Sequence, residues 1–222
     1  MQFESLNFGN HKLLLYPSGE LYYRDRETVV ISDLHLEKGS FYAASNQFLP
    51  PYDSIETLKK LQNFITQNCV QKIVFLGDLV HDSDGFNRIS NDALQIFMEI
   101  IAEREVILTV GNHDKNFNYE DQGLKFCEEY QIDDIYFRHQ PNDTNGLQIF
   151  GHFHPKVTMS IMDKKLSKKC FVSDAKKVLM PAYGTLTGGM DINSSPIKDL
   201  FFDSFTTFPI NDKKIFKLQN TK

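Results

Sequence analysis

Six of the seven histidines, His35, His81, His113, His139, His152 and His154, stand at or just past the ends of apolar runs. ETVVISDL runs into Asp33-Leu-His35, and KIVFLGD ends in Gly77-Asp78 with His81 and Asp82 just beyond. EVILTVGN leads to Gly111-Asn112-His113-Asp114. IYFRH ends in Arg138-His139, and LQIFGH in Gly151-His152-Phe-His154. Asp33, His35, Asp78, Asn112, His139, His152 and His154 together offer oxygen and imidazole donors with no thiolate. That mixture suits borderline divalent ions such as Mn²⁺, Fe²⁺ or Zn²⁺ better than Ca²⁺ or a structural thiolate zinc. The set is too large for one tetrahedral ion. It suits two ions that share one of the two aspartates.

The elements that must bring these residues together are strands. In open α/β sheets, sites form beyond the carboxyl ends of the strands. If Asp-x-His and His-x-His are extended, alternation puts both ligands on one side and turns Leu34 and Phe153 toward the core. The glycines before Asp78, Asn112 and His152 let the backbone turn sharply or approach closely.

Around those ends, HKLLLYP, the turn PSGE and LYYR read as a hairpin. A loop follows ETVVISDL. PPYDSIETLKKLQNFITQN reads as a helix, with Asp53 as its cap, Glu56 in the capping-box position and Ile55, Leu58, Leu61 and Ile65 as its apolar stripe. SNDALQIFMEIIAER is a second helix with Leu94, Phe97 and Ile101 on one face. NYEDQGLKFCEEY reads as a weaker helix interrupted by Gly123. MDKKLSKK (162–169) reads as a basic surface loop. VLMPAYG and LFFDSFTTFPI add strands. The strand–helix–strand alternation followed by a strand-rich half predicts an α/β layered fold, two sheets packed together with helices outside.

Composition bounds the rest. The chain has 222 residues, 41% of them hydrophobic, and a formal net charge of -5. One domain of residues 1–222 can bury a sizeable core at this length. A protein that binds nucleic acid over its whole surface is excluded by the charge; any such binding must come from a local patch or a metal centre. Cys69, Cys127 and Cys170 show no metal or disulfide spacing and predict reduced thiols. The N-terminal stretch lacks the pattern of a leader peptide, and no apolar run reaches a membrane span. The expectation is a cytoplasmic protein with no membrane partner.

The series DLH, GDLVHD, GNHD, H and GHFH resembles the calcineurin-like metallophosphoesterase superfamily across residues 33–154. The resemblance implies a four-layer sandwich of two mixed β-sheets flanked by helices. It implies one metal held by Asp33, His35, Asp78 and His154. A second would be held by Asp78, Asn112, His139 and His152, with Asp78 bridging and His113 as the catalytic histidine. SDLHLEKGSFYA, FLPPYDS, RHQP, GHFHPKV and LMPAYGTLTGG are similar to the ligase-associated DNA-damage-response endonuclease (PdeM-like) family, over about residues 30–190. That likeness implies a nuclease or phosphodiesterase working beside a DNA ligase and a helicase. GDxxH, with His81 three residues after Asp78, also resembles SbcD-type DNA repair nucleases.

The expected activity is phosphodiester hydrolysis by a two-metal mechanism with Mn²⁺ foremost and Fe, Zn or Mg as alternatives. His113 would stabilise phosphoryl charge or protonate the leaving alkoxide, a task imidazole suits near neutral pH. His81 would orient His113 or the leaving group, or merely pack. Asp82 and Asp114 are the other candidates to orient His113. Lys38, Arg138 and Lys156 flank the motifs as candidate phosphate contacts. Two other readings are a small-molecule phosphoesterase acting on nucleotides or sugar-nucleotide pyrophosphates, and a non-catalytic partner-binding scaffold. Loss of His113 or of a ligand would mark the scaffold, and none is lost.

Overall fold

The computed structural model describes residues 2–47, 49, 52–114, 123–161, 164–201, 204–211 and 213–221. The first sheet begins with an antiparallel meander: β1 (Glu4–Phe8), β2 (His11–Leu15), β3 (Leu21–Tyr23) and β4 (Thr28–Ile31). It continues in parallel through β5 (Lys72–Phe75), β6 (Glu105–Thr109) and β7 (Lys125–Cys127). The expected hairpin is therefore β2–β3. The ESLNF strand before it carries only two apolar residues and escapes a hydrophobic-pattern reading.

The second sheet starts with β8 (Glu129–Ile132), β9 (Ile135–Arg138) and β10 (Leu147–Phe150). A long hairpin, β11 (Pro155–Ile161) and β12 (Lys164–Ser173), is followed by β13 (Lys177–Leu179) and a short β14 (Met190–Asp191). β13 pairs in parallel with β10, and β14 in parallel with β11. β15 (Ser204–Asn211), β16 (Lys214–Ile215) and β17 (Leu218–Thr221) extend the sheet from β12.

The central strands are buried on both faces, so they read as continuous apolar runs. Alternation divides each between two cores. Val29, Ile31, Ile73, Phe75, Val106 and Leu108 face the helices. Val30, Val74 and Ile107 face the second sheet, where they meet Phe137, Ile149, Phe171, Val178 and Phe208. Phe150, Cys170, Val172 and Leu179 face outward again, into a third core.

The helices are α1 (Lys38–Ala44), α2 (Asp53–Gln67), α3 (Gly85–Arg88), α4 (Asn91–Ile101) and α5 (Ile197–Leu200), with one 3₁₀ turn at Arg24–Arg26. α2 and α4 cover the first sheet with Leu58, Leu61, Phe64, Phe97 and Ile101. The outer face of the second sheet is covered more thinly, by the segment carrying Ile192, Ile197 and Phe201. The sandwich of two mixed sheets is thus as expected, with most helix on one side. No helix among the described residues is long and apolar enough to cross a membrane.

Four local expectations change. The loop after the first motif contains α1. Asp53 does not cap α2: Tyr52 stands at the N-cap, and Asp53 Oδ2 accepts from Gly39 N at 3.0 Å. That buried carboxylate ties α2 to the start of α1. The helix expected over NYEDQGLKFCEEY is replaced by β7 and the start of β8; residues 118–122 lie outside the described part. Gly123, at φ +77°, breaks any helix there, and pairing with β6 overrides the local propensity. The basic loop expected at 162–169 is an arm of the β11–β12 hairpin from Lys164 onward, and residues 162–163 lie outside the described part. Lys164 and Lys165 stay exposed on the extended arm, whereas Lys168 and Lys169 are half-buried.

Candidate metal centre

The carboxyl ends of β4, β5, β6, β9 and β10 meet at one place, where the two sheets also touch. Ser32, just past β4, forms a parallel bridge with Ala182, past β13. Tyr183 N then donates to Ser32 O at 2.8 Å, and Gly184 N to Asp33 O at 3.2 Å. Leu36 and Val80 bridge in the same way, which locks the loops after β4 and β5 together.

The ligand-bearing segments are not extended. Asp33, His35, Asp78, His152 and His154 all have left-handed backbones, with φ of 54, 44, 50, 72 and 48°. Each such residue costs about 1–2 kcal/mol outside glycine. The paired ligands therefore converge through tight turns, not through strand alternation. Leu34 does enter the core at 1% exposure, whereas Phe153 is half-buried at the rim of the third cluster. Gly111 allows a close backbone approach: a Cβ there would lie 2.2 Å from Asp78 N.

The donors form two groups. Asp33, His35 and His154 place ligand atoms within 4.8 Å of one another, and so do Asp78, His139 and His152. Asp78 Oδ2 lies between them, 3.6 Å from His35 Nε2 and 3.6 Å from His139 Nε2. Asn112 stands beside the second group, but its Nδ2 faces His152 Nδ1 at 3.4 Å. A half-turn of the amide would present the oxygen instead.

The donor set fits cations. Asp33 Oδ1 is buried without a hydrogen-bond donor, 3.3 Å from His154 Nε2. Its other oxygen accepts from the Ser32 hydroxyl and from His152 N at 3.0 Å. His35 Nε2 and His154 Nε2 face each other at 3.3 Å. His139 Nδ1 donates to Leu76 O at 2.8 Å, which turns its Nε2 lone pair inward, 3.1 Å from His152 Nδ1. A backbone carbonyl that fixes the tautomer in this way is a recurrent support for a metal-bound imidazole.

Electrostatics favour the same state. Burial pushes His35 down to about 2, with His154, His113 and His81 adding to it against the opposing pull of Asp33. Burial, helped by His139, also lowers His152. Burial would raise Asp33, but His154, His139 and Ser32 together hold it down at about 2. Neutral imidazole and ionised carboxylate are the ligand forms.

His113 stands at the mouth. Its side chain is 40% exposed, and Nε2 is 4.0 Å from Asp78 Oδ2. Its backbone N donates to Asp78 Oδ1 at 3.0 Å. His81 stacks on His113, ring centroids 5.3 Å apart and 21° between planes. It also brings Nδ1 to 3.4 Å from His35 Nδ1. Phe41 packs edge-on against it at 4.7 Å. Burial lowers His81 to about 4, with Lys38 and His113 contributing. His81 thus packs against both His35 and His113, whose own rings meet edge-on with centroids 5.0 Å apart.

The two carboxylates considered for His113 have other tasks. Asp114 accepts from Asp78 N at 2.7 Å, Gly111 N at 2.9 Å and Leu79 N at 3.1 Å, fastening the β5 and β6 loops. Asp82 pairs with Arg88, which also reaches Ser40 Oγ at 3.1 Å. Arg138 lines a small cavity with Asn112 and His139, but its guanidinium is already engaged. It is 4% exposed, bonded to Glu129 and to Thr144 Oγ1 at 3.1 Å, and lies over the Tyr136 ring. Lys38 is half-buried, 6.0 Å from the Tyr42 ring centroid. Lys156 lines a separate cavity.

Gln140 was missed by the sequence reading. Its Nε2 lies 3.2 Å from His152 Nε2 and 3.4 Å from Asn112 Oδ1. Its place next to His139, within the RHQP motif, is the signal that points to it.

Three comparisons bear on this geometry. The family described as calcineurin-like phosphoesterase matches residues 27–191. The crystal structure of Pseudomonas putida nuclease MPE superposes with a TM-score of 0.78 at 19% identity, covering 98% of this chain and 100% of that one. Vacuolar Protein Sorting 29 from Cryptosporidium parvum aligns at a TM-score of only 0.38 and 15% identity, over 88% of this chain and 97% of that one, too low to argue from. No curated protein sequence matches. The nuclease shares the fold over its whole length, and the family match spans every strand end that carries a donor. The chain belongs to the calcineurin-like phosphoesterase family, and is a metal-dependent phosphoester hydrolase.

Proposed function

We propose that the chain hydrolyses phosphodiester bonds of nucleic acid, DNA foremost, through two divalent cations, Mn²⁺ the first candidate. Asp33, His35, Asp78 and His154 would hold one, and Asp78, Asn112, His139 and His152 the other. The observation that carries the reading is the position of Asp78 Oδ2, equidistant at 3.6 Å from an imidazole of each group. Bound there, such ions supply Lewis acidity to the phosphoryl oxygens and lower the pKa of a water toward neutrality.

The chain's own residues do the rest. Ser32 and His152 N hold Asp33 in place, and Asp114 fixes the loop that presents Asp78 and His113. His113 projects from the mouth, where its Nε2 can neutralise a phosphoryl oxygen or give a proton to the leaving alkoxide. His81, stacked beneath it, positions both His113 and His35.

A role in DNA repair beside a ligase and a helicase remains part of the proposal. It is supported by the PdeM-like motifs and by the fold shared with a nuclease. The net charge of -5 favours the small-molecule alternative, since a free nuclease usually carries a basic face.

The test is His113→Ala assayed on bis-p-nitrophenyl phosphate with Mn²⁺, then wild type on single-stranded DNA and on dinucleoside polyphosphates. Turnover of the variant should fall by roughly 10²–10⁴-fold with metal content kept. Unchanged turnover refutes the role of His113. Faster wild-type cleavage of the polyphosphates than of DNA overturns the nucleic-acid reading.

A further inference from the structure

A cavity of about 800 Å³ opens between α2, the β11–β12 hairpin and the turn after β15, behind the 184–189 segment that borders the metal centre. Five lysines line it: Lys60, Lys156, Lys168, Lys169 and Lys213. Among the described residues that line it there is no carboxylate; the rest of its polar wall includes Ser18, Asn63 and Thr185. In a chain of net charge -5, that concentration of one sign is a strong local departure.

The arrangement is built. Lys169 Nζ is fixed by Ala182 O at 2.8 Å, Gly184 O at 2.7 Å and Thr187 Oγ1 at 2.7 Å. Lys60 Nζ donates to Tyr183 O at 2.8 Å and sits 3.5 Å from the Tyr183 ring centroid. Lys156 and Lys169 are direct cross-strand partners, a like-charge pairing that destabilises a sheet unless something offsets it. Burial lowers Lys60 to about 8; burial, with Lys60 and Lys156 as neighbours, lowers Lys169 to about 7. Glu20, the carboxylate that acts on the charge of Lys60, is buried and already accepts from the Tyr183 hydroxyl and Ser18. Among the described residues, the cavity wall offers these lysines no carboxylate.

The cavity also adjoins the chemistry. Lys156 follows His154 by two residues. A Cβ on Gly189 would meet His154 O at 2.5 Å on one side and the Lys156 side chain at 2.7 Å on the other. Lys169 lies close enough to Asp33 for the carboxylate to act on its charge.

We propose that this lysine-lined cavity is a phosphate-binding subsite that holds a phosphate of the substrate strand other than the one being cleaved. The assignment of the strand rests on the nucleic-acid reading above; the phosphate chemistry rests on the cavity alone. A volume of about 800 Å³ suits a nucleotide-sized occupant better than a lone inorganic ion. Such a subsite gives an acidic protein a local means of gripping a polyanion, by charges that displace counterions from the backbone.

The test is equilibrium binding in chelator, where turnover and the metal centre play no part. Wild type, Lys156→Gln/Lys213→Gln, and the charge-matched control Lys12→Gln/Lys198→Gln are titrated with a labelled single-stranded oligonucleotide and with inorganic tripolyphosphate across salt concentrations. The pocket variant should bind the oligonucleotide roughly tenfold more weakly, with a salt slope shallower by about 1.4, while the control matches wild type. Equal loss in pocket variant and control overturns the site. Lysine-dependent binding of tripolyphosphate alone overturns the strand and leaves a free-phosphate site. Failure of DNA hydrolysis with pocket-dependent binding intact would count against the catalytic reading and not against this one.

Discussion

Two regions of this molecule use the same side chains to opposite ends. At the edge where β2 meets the β8–β9 turn, His11, Tyr23, Arg26, Asp133 and Asp134 form a network in which the groups answer one another. Tyr23 hydroxyl bonds His11 Nδ1 at 2.5 Å and donates to Asp133 at 2.8 Å, Arg26 grips both Asp133 oxygens, and His11 Nε2 meets Asp134. At the carboxyl ends of the strands, imidazoles face imidazoles and Asp33 Oδ1 has no donor. In the first network each of these groups meets a partner within the chain. In the second, the facing imidazole nitrogens and Asp33 Oδ1 leave lone pairs that a cation would match. Histidine and aspartate together are therefore not the mark of a metal site; unmatched lone pairs turned on one another are.

The sharpest way to break this contrast is Asp78→Asn. The carboxylate proposed to be shared would become an amide, and metal content should fall toward zero, with turnover down by more than the roughly 10–100-fold typical of removing an outer-sphere partner. An undiminished metal count by elemental analysis refutes the shared position of Asp78. The next effect is in stability. Mn²⁺ at about a hundred times its Kd should stabilise the folded chain by ~2.7 kcal/mol per site, raising Tm by about 5–10 °C over the chelated protein. A Tm indifferent to Mn²⁺ would mean the donor cluster is self-sufficient after all.

The smallest effect belongs to the complete network. Arg26 and Tyr23 hold Asp133 below the ordinary aspartate range. A carboxyl with a depressed folded pKa stabilises above its unfolded value and loses that contribution as the pH falls through the folded one. Asp133→Asn should thus lower Tm slightly at pH 7, since the pair is largely solvent-screened. The difference from wild type should close as the pH drops below about 3.9. Thermal melts at several pH values check this, and metal binding should not respond.

The strand ends were legible because β4, β5, β6 and β10 are buried on both faces and announce themselves as apolar runs. The polar residues that interrupt them stand out against that background. What was not legible depends on distant partners. β7 is a strand because β6 offers it a ladder, not because KFC prefers one. Asp53 looks like a cap until α1 supplies Gly39 N. Arg138 beside His139 looks like a phosphate ligand until Glu129, on the neighbouring strand, claims it. The donor identities were readable by residue type. Their grouping into two sets came with the family resemblance, and their turn geometry came only with the fold.

The left-handed backbones at Asp33, His35, Asp78, His152 and His154 have an evolutionary consequence. Glycine or asparagine would sit more comfortably at each of these positions. Asp33 and Asp78 do bond backbone N–H groups of His152 and His113, but no such bond requires the three histidines. A descendant released from catalysis would drift toward relaxed residues at these three places and keep, or even firm up, its sandwich. Replacing one of these histidines by glycine should therefore cost the site its donor while relaxing the backbone that carries it.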